Sequence, residues 1–188
     1  MYDIAIIGAG PAGGSAALFS ARANKKTVFF DSDQGVTRRA LLRNHYGIAE
    51  IGGPDLVEVG QRQAMEAGAE LVRSKVVDVE KNGDTFTLKT DMGTFEARYV
   101  ILATGLWADL AEFIGVTTKP ATEPRIKTIV EVDAQGRTNI PGIWAAGTIA
   151  GTSVHTIITA GDGARVAINL ISEINGERYV DHDVLPAK

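Results

Sequence analysis

Thirty-one residues at the start of the chain restrict its fold more than any other stretch. Tyr2-Asp3-Ile4-Ala5-Ile6-Ile7 reads as a buried strand, Gly8-Ala9-Gly10-Pro11-Ala12-Gly13 as a glycine turn, and a small-residue helix follows. Lys26-Thr27-Val28-Phe29-Phe30 reads as a second strand, and Asp31 stands at its end. Strand, glycine turn, helix, strand and acid occur in the order that a dinucleotide requires. Gly8 permits a tight exit from the strand, Gly10 leaves room for a pyrophosphate against the backbone, and Gly13 lets the helix lie close to the sheet. The helix N-terminus offers free N–H groups and the positive end of its dipole to phosphate. Asp31, about 20 residues past the loop, is placed to accept hydrogen bonds from a ribose.

The remaining composition mostly excludes. With 188 residues the chain is expected to form one domain with a sizeable core. Its formal charge of −4 carries no basic run for nucleic acid or a membrane surface. The first residues form a strand rather than a charged, then apolar, leader, so the expectation is a cytoplasmic protein with no membrane span. There is no cysteine, which removes disulfides, thiolate metal ligation and a redox thiol pair of the chain's own.

Periodicity supplies the other elements. Ala12, Ala16, Phe19 and Ala23 are predicted to form the inner side of the first helix. Gly53-Pro54 opens a second helix with Val57, Gly60, Ala64 and Ala67 inward, closed by Gly68. Residues 75–98 read as a β-meander, with strands at Val76–Val79 and Thr85–Lys89 and turns at Asn82-Gly83-Asp84 and Asp91-Met92-Gly93. Tyr99 to Ala103 is a continuous apolar run of the kind that fills a parallel sheet, ending at Thr104-Gly105. Residues 106–127 look least regular, broken by Pro120 and Pro124. Strands are expected at Thr128–Val132 and Ile143–Ala146. A long helix is expected over 154–174, capped by Thr152 or Ser153, with Ile157, Ala160, Ala164, Ile168 and Ile171 on its apolar stripe. The polar tail from Asn175 is expected to be loosely held.

A glycine turn alone does not choose between NAD and FAD. Three further segments carry a resemblance. Val100-Ile101-Leu102-Ala103-Thr104-Gly105 after a meander resembles the ATG segment of two-dinucleotide flavoproteins. Asn139 to Gly147 resembles their second FAD segment, and His155 to Gly163 the flavin-side helix of thioredoxin reductases. Arg43-Asn44-His45-Tyr46-Gly47 and Gly53-Pro54-Asp55-Leu56 occupy the places of two further stretches of that family. The resemblance runs through nearly the whole chain, in order. It implies an α/β fold: a Rossmann-like FAD-binding domain with a mostly parallel central sheet, helices on one side and a β-meander on the other.

The same resemblance implies FAD contacts at Gly8, Gly10, Pro11, Ala12 and Gly13, at Asp31, Ser32, Arg39 and Asn44, and at Val76. It implies others at Ala103, Thr104, Gly105, Gly147, Thr148, His155 and Thr156. Arg38 beside Arg39 is read as a solvated residue or one near the ribose, Trp107 as a cover for apolar surface, and His182 as inert. His155, in the first turn of the last helix, is the candidate catalytic residue, because negative charge grows on the adjacent flavin edge during reduction. No metal site is expected.

Two departures limit what carries over. In the family an NADPH domain with its own glycine turn and a Cys-x-x-Cys is inserted after the ATG segment. Here the interval from Gly105 to Ile129 is too short for a domain. The chain therefore resembles the FAD half alone and is not expected to reduce disulfides by its own thiols. Where the family has Gly-Asp, this chain has Gly147-Thr148. A hydroxyl bond contributes about 0.5–1.5 kcal/mol where a charged acceptor contributes about 1.5–3, so a weaker or altered hold on FAD is expected.

The resulting expectation is a small FAD-dependent oxidoreductase fed by a redox partner protein or freely docking NAD(P)H, and a homodimer by family analogy. The alternatives are a non-catalytic FAD-binding protein, and an NAD-binding dehydrogenase domain.

Overall fold

The computed structural model describes residues 1–186. The strands β1 (Tyr2–Ile7) and β2 (Thr27–Phe30) flank the helix α1 (Pro11–Arg22), as the glycine turn predicts. The hairpin strands β3 (Leu41–Leu42) and β4 (Ile51–Gly52) then lead into α2 (Gly53–Glu66). Next come β5 (Glu70–Val72), the meander strands β6 (Val76–Asn82) and β7 (Thr85–Thr90), and the long β8 (Gly93–Leu102). The chain closes with α3 (Asp109–Phe113), β9 (Thr118–Pro120), β10 (Thr128–Val130), β11 (Ile143–Ala145) and α4 (Thr156–Asn175).

One sheet organises the fold, with β5, β2, β1 and β8 side by side and parallel. The length of β8 lets one of its edges serve two partners. Its first half pairs antiparallel with β7, from Thr90↔Gly93 to Phe86↔Ala97. Its last three residues pair parallel with β11, from Ile143↔Val100 to Ala145↔Leu102. The meander thus grows out of the central sheet and folds over one face of it.

Strand alternation sorts the core into two layers. Ile4, Ile6, Phe29, Ile101 and Trp144 point to one face and pack with Ala16, Ala17, Ala64, Val166 and Leu170 of α1, α2 and α4. Ala5, Ile7, Val28, Phe30, Val100 and Leu102 point to the other and pack with Val79, Phe86 and Leu88 of the meander and Ala111 of α3. Helices on one side and a meander on the other is the predicted arrangement.

Several local expectations are corrected. The buried side of α1 runs through Ala12, Gly13, Ala16, Ala17, Ser20 and Ala21, leaving Phe19 and Ala23 at its margin. In α2, Gln61 takes a core position beside Val57 and Ala64, while Gly60 and Ala67 are half-buried. Residues 106–127 contain α3 and β9, and the strand expected over Thr128–Val132 stops at Val130. The helix α4 starts at Thr156, with His155 as its N-terminal flanking residue, and neither Thr152 nor Ser153 caps it.

The apolar stripe of α4 is also rotated from the one predicted. Thr159, Gly163, Val166, Ala167, Leu170 and Ile171 are buried, whereas Ile157 is 39% exposed and Ile158 46%. The reason is close helix packing: a Cβ on Gly163 would lie 2.0 Å from the Ala12 carbonyl oxygen. The smallest residues therefore face α1, and hydropathy alone misplaces the contact. The tail is pinned rather than loose. Arg22 forks onto Asp181 at 2.7 and 2.8 Å and reaches Asp183 at 2.6 Å, and the Tyr179 N–H donates to Ser172 Oγ at 3.0 Å.

Candidate functional site

The parallel strands β1, β2, β8 and β11 end in register, with Ile7 opposite both Phe30 and Leu102, and Leu102 opposite Ala145. Beyond these carboxyl ends lies a cleft of about 380 Å³. This is where open α/β sheets bind ligands, because the loops leaving the strands diverge there. Gly8, Gly10, Pro11 and Ala12 line it, as do Asp31, Ser32, Val76, Ala103, Thr104, Gly105 and Thr148.

Close backbone approaches hold these segments together. Gly8 has φ +116°, open to glycine at little cost, and a Cβ there would lie 2.2 Å from the Ala103 carbonyl oxygen. The glycine turn is thereby stacked on the segment that follows β8. A Cβ on Gly13 would lie 1.8 Å from the Gly8 oxygen, and one on Gly147 would lie 2.6 Å from the Ala12 Cβ. Gly10 differs: a Cβ there would meet nothing within 4 Å, because it faces the open cleft. No side chain caps α1 at Gly10, so the first N–H groups of this 12-residue helix remain available at the cleft wall.

Asp31 is 8% exposed and densely bonded. Its Oδ2 accepts from Gln61 Nε2 at 2.7 Å, Arg38 Nη2 at 2.8 Å and Arg73 Nη1 at 3.5 Å. Its Oδ1 accepts from the Asp33 N–H at 2.9 Å. Thr148 is 7% exposed and lies on the cleft wall. The neighbouring Gly147 N–H is taken by Asp162 Oδ2 at 2.7 Å, and Arg165 balances that carboxylate at 2.8 Å.

The remaining expected site residues lie behind or beside the cleft wall. Gly13 and Gly147 pack behind it, and Thr156 is buried at the start of α4. His155 is exposed, and its Nδ1 shares a hydrogen bond with Ser153 Oγ at 2.8 Å. Asn44 is exposed on a loop whose His45 Nδ1 meets Thr156 Oγ1 at 3.0 Å. Arg39 is exposed, and it is Arg38 that reaches the acid. Trp107 lines the mouth of the cleft and is 53% exposed, with its carbonyl accepting from Thr104 Oγ1 at 2.7 Å. His182 belongs to the pinned tail. Sequence reasoning missed Gln61. Its signal was a polar residue at helical spacing from Val57 and Ala64 on an otherwise apolar face.

The geometry defines a Rossmann-like α/β domain with a cleft at the carboxyl ends of its parallel strands. Residues 2–129, more than half of the chain, match the pyridine nucleotide-disulphide oxidoreductase family, and the chain belongs to it. It is 41% identical over 115 residues to a thioredoxin reductase from Peptoclostridium acidaminophilum, covering 59% of this chain and 36% of that protein. A thioredoxin reductase from Aquifex aeolicus is 36% identical over 122 residues, covering 61% of this chain and 37% of its own length. The chain thus spans little more than a third of these curated relatives. Among solved structures, an atypical thioredoxin reductase from Desulfovibrio vulgaris Hildenborough superposes with a TM-score of 0.83 at 21% identity, covering 94% of this chain and 99% of that one. One from Gloeobacter violaceus gives 0.81 at 20% identity, covering 98% of each. These likenesses establish the fold. Among the described residues no helix is long and apolar enough to cross a membrane, and no cluster of ligating side chains could hold a metal.

Proposed function

We propose that the chain binds FAD along this cleft and works as a small FAD-dependent oxidoreductase. The observation that carries the reading is the meeting of an uncapped helix N-terminus at Gly10 and a buried acid at Asp31 beyond the ends of the parallel strands. In this reading the backbone around Gly10 to Ala12 holds the pyrophosphate and Asp31 holds the adenosine ribose. Ala103 to Gly105 and Thr148 line the path toward the flavin. Bound flavin supplies the redox chemistry, and the protein supplies position and electrostatics. His155, the residue flanking the N-terminus of α4, is the candidate proton donor to the flavin edge, carried by its place immediately before the first turn.

Electrons arrive from a redox partner protein or from freely docking NAD(P)H. Exposed Trp107 and Val154 at the cleft mouth, with Ile157 and Ile158 on α4, give apolar surface for such a partner or for a homodimer. The chain has no cysteine, so a disulfide of its own takes no part. Thr148, standing where the family resemblance implies a carboxylate, favours a second reading, in which FAD is held without turnover.

An anaerobic absorbance spectrum before and after NADH or NADPH separates the two. Bleaching of the flavin band within seconds supports the oxidoreductase. A band that persists with both nucleotides leaves the FAD reading standing and moves the donor role to a protein, or to none.

A further inference from the structure

We infer that Gln61 is a positioning residue that joins the two ends of the adenosine diphosphate site, a role resting on the FAD reading above. Gln61 lies in the middle of α2 and is 3% exposed. Its single amide nitrogen donates twice: to the Ala9 carbonyl at 3.2 Å and to Asp31 Oδ2 at 2.7 Å. Ala9 belongs to the glycine turn that faces the pyrophosphate, and Asp31 is the ribose acid. These two parts leave different strands, β1 and β2. The strand ends are joined by backbone, the Gly8 N–H donating to the Phe30 carbonyl at 3.0 Å, and one buried amide links Ala9 to the Asp31 carboxylate.

The chemistry of the amide suits this task. A carboxamide NH2 carries two donors, enough for both acceptors, and it brings no charge into a buried place. A lysine could donate as well, but its buried ammonium would carry a desolvation cost. The other donors to Asp31 cannot set its orientation so firmly. Arg38 also divides its guanidinium with Asp33, whose side chain is 77% exposed, and the Arg73 contact is long at 3.5 Å with Arg73 66% exposed. Gln61 is the donor held in place by the core, with Val57 one turn before it and Ala64 one turn after it, both buried. It keeps Oδ2 turned toward α2. The Oδ1 oxygen, which accepts one N–H from Asp33, is left with acceptor capacity for a ribose hydroxyl.

The test is binding of FAD, and separately of ADP, to the full chain and to Gln61→Met, which keeps the volume and loses the donors. The expected result is an affinity loss of about ten-fold for both ligands, the size of one hydrogen bond to a charged group. Gln61→Asn, one methylene too short to span both acceptors, is expected to lose a similar factor. In an Asp31→Ala background the Gln61→Met loss is expected to shrink to about two-fold, because the group it positions is gone. Equal losses in both backgrounds would mean that Gln61 serves only packing, and unchanged affinity in Gln61→Met would overturn the inference while leaving the FAD reading intact. A wild-type chain that binds neither FAD nor ADP would overturn both.

Discussion

The backbone N–H of Gly147 donates to the buried carboxylate of Asp162 across 2.7 Å, tying the loop after β11 to the second turn of α4. That loop carries Thr148 into the cleft, and Gly147 rests against Ala12. Asp162 thereby holds a cleft wall in place without lining the cleft itself.

Asp162→Ala should destabilise the fold by about 1.5–3 kcal/mol, because the buried Gly147 N–H loses a charged acceptor. Arg165 is 43% exposed on its side of the pair, so Arg165→Ala should cost less than about 1 kcal/mol. Urea unfolding of the two variants checks the order.

Two glycines two residues apart on α4 should respond in opposite directions to alanine. A Cβ at Gly161 meets nothing within 4 Å, so Gly161→Ala should stabilise by about 0.5–1 kcal/mol through helix propensity. A Cβ at Gly163 would sit 2.0 Å from the Ala12 oxygen, so Gly163→Ala should destabilise by about 1–3 kcal/mol as α1 and α4 are forced apart. Gly10→Ala makes a third case, with the melting temperature of the ligand-free chain unchanged and FAD binding weakened, because its Cβ projects into the cleft. Melting curves with and without FAD separate all three.

These contrasts show how far the sequence could be read. The strand, glycine turn, helix and acid were legible because each step is local and has a fixed spacing. The strands β1 and β8 were legible as continuous apolar runs, Ile4 to Ile7 and Tyr99 to Ala103, each ending at a glycine turn. The inner face of α4 was not, since its closest contact is made by Gly163, which has no hydropathy signal of its own. Gln61 was missed for a related reason: its partners, Ala9 and Asp31, are remote in sequence and meet it only after α2 docks. The grip of Arg22 on the tail was equally hidden, because exposed charges give no period to read.

Alkaline pH should weaken the fold through Tyr2. Burial, and then its hydrogen bond to Glu70 and that carboxylate's charge, push the phenol up to about 12. The folded state thus keeps a proton that the unfolded chain releases near pH ~10. Stability is constant below that value on this account, and falls as pH rises from ~10 through about 12. Tyr2→Phe should flatten that part of the profile in unfolding experiments at pH 9 to 12.

Acid should free the tail. The Asp181 carboxyl lies below the ordinary carboxylate range because Arg22 bonds its charged form. The contribution is therefore present above the unfolded value of about 3.9 and is lost as pH falls through the lower folded value. Arg22→Ala should release the tail already at neutral pH. Limited proteolysis after residue 176 reads this directly, with faster cleavage in the variant and unchanged cleavage of the sheet.

The central claim is FAD in the cleft, and the most direct measurement is the visible absorbance spectrum of the chain mixed with FAD and freed of unbound flavin on a sizing column. The account predicts a yellow protein with a band near ~450 nm at about one flavin per chain, lost in a Gly10→Val variant that keeps its fold. A colourless wild-type protein, or equal flavin in the Gly10→Val variant, would contradict it.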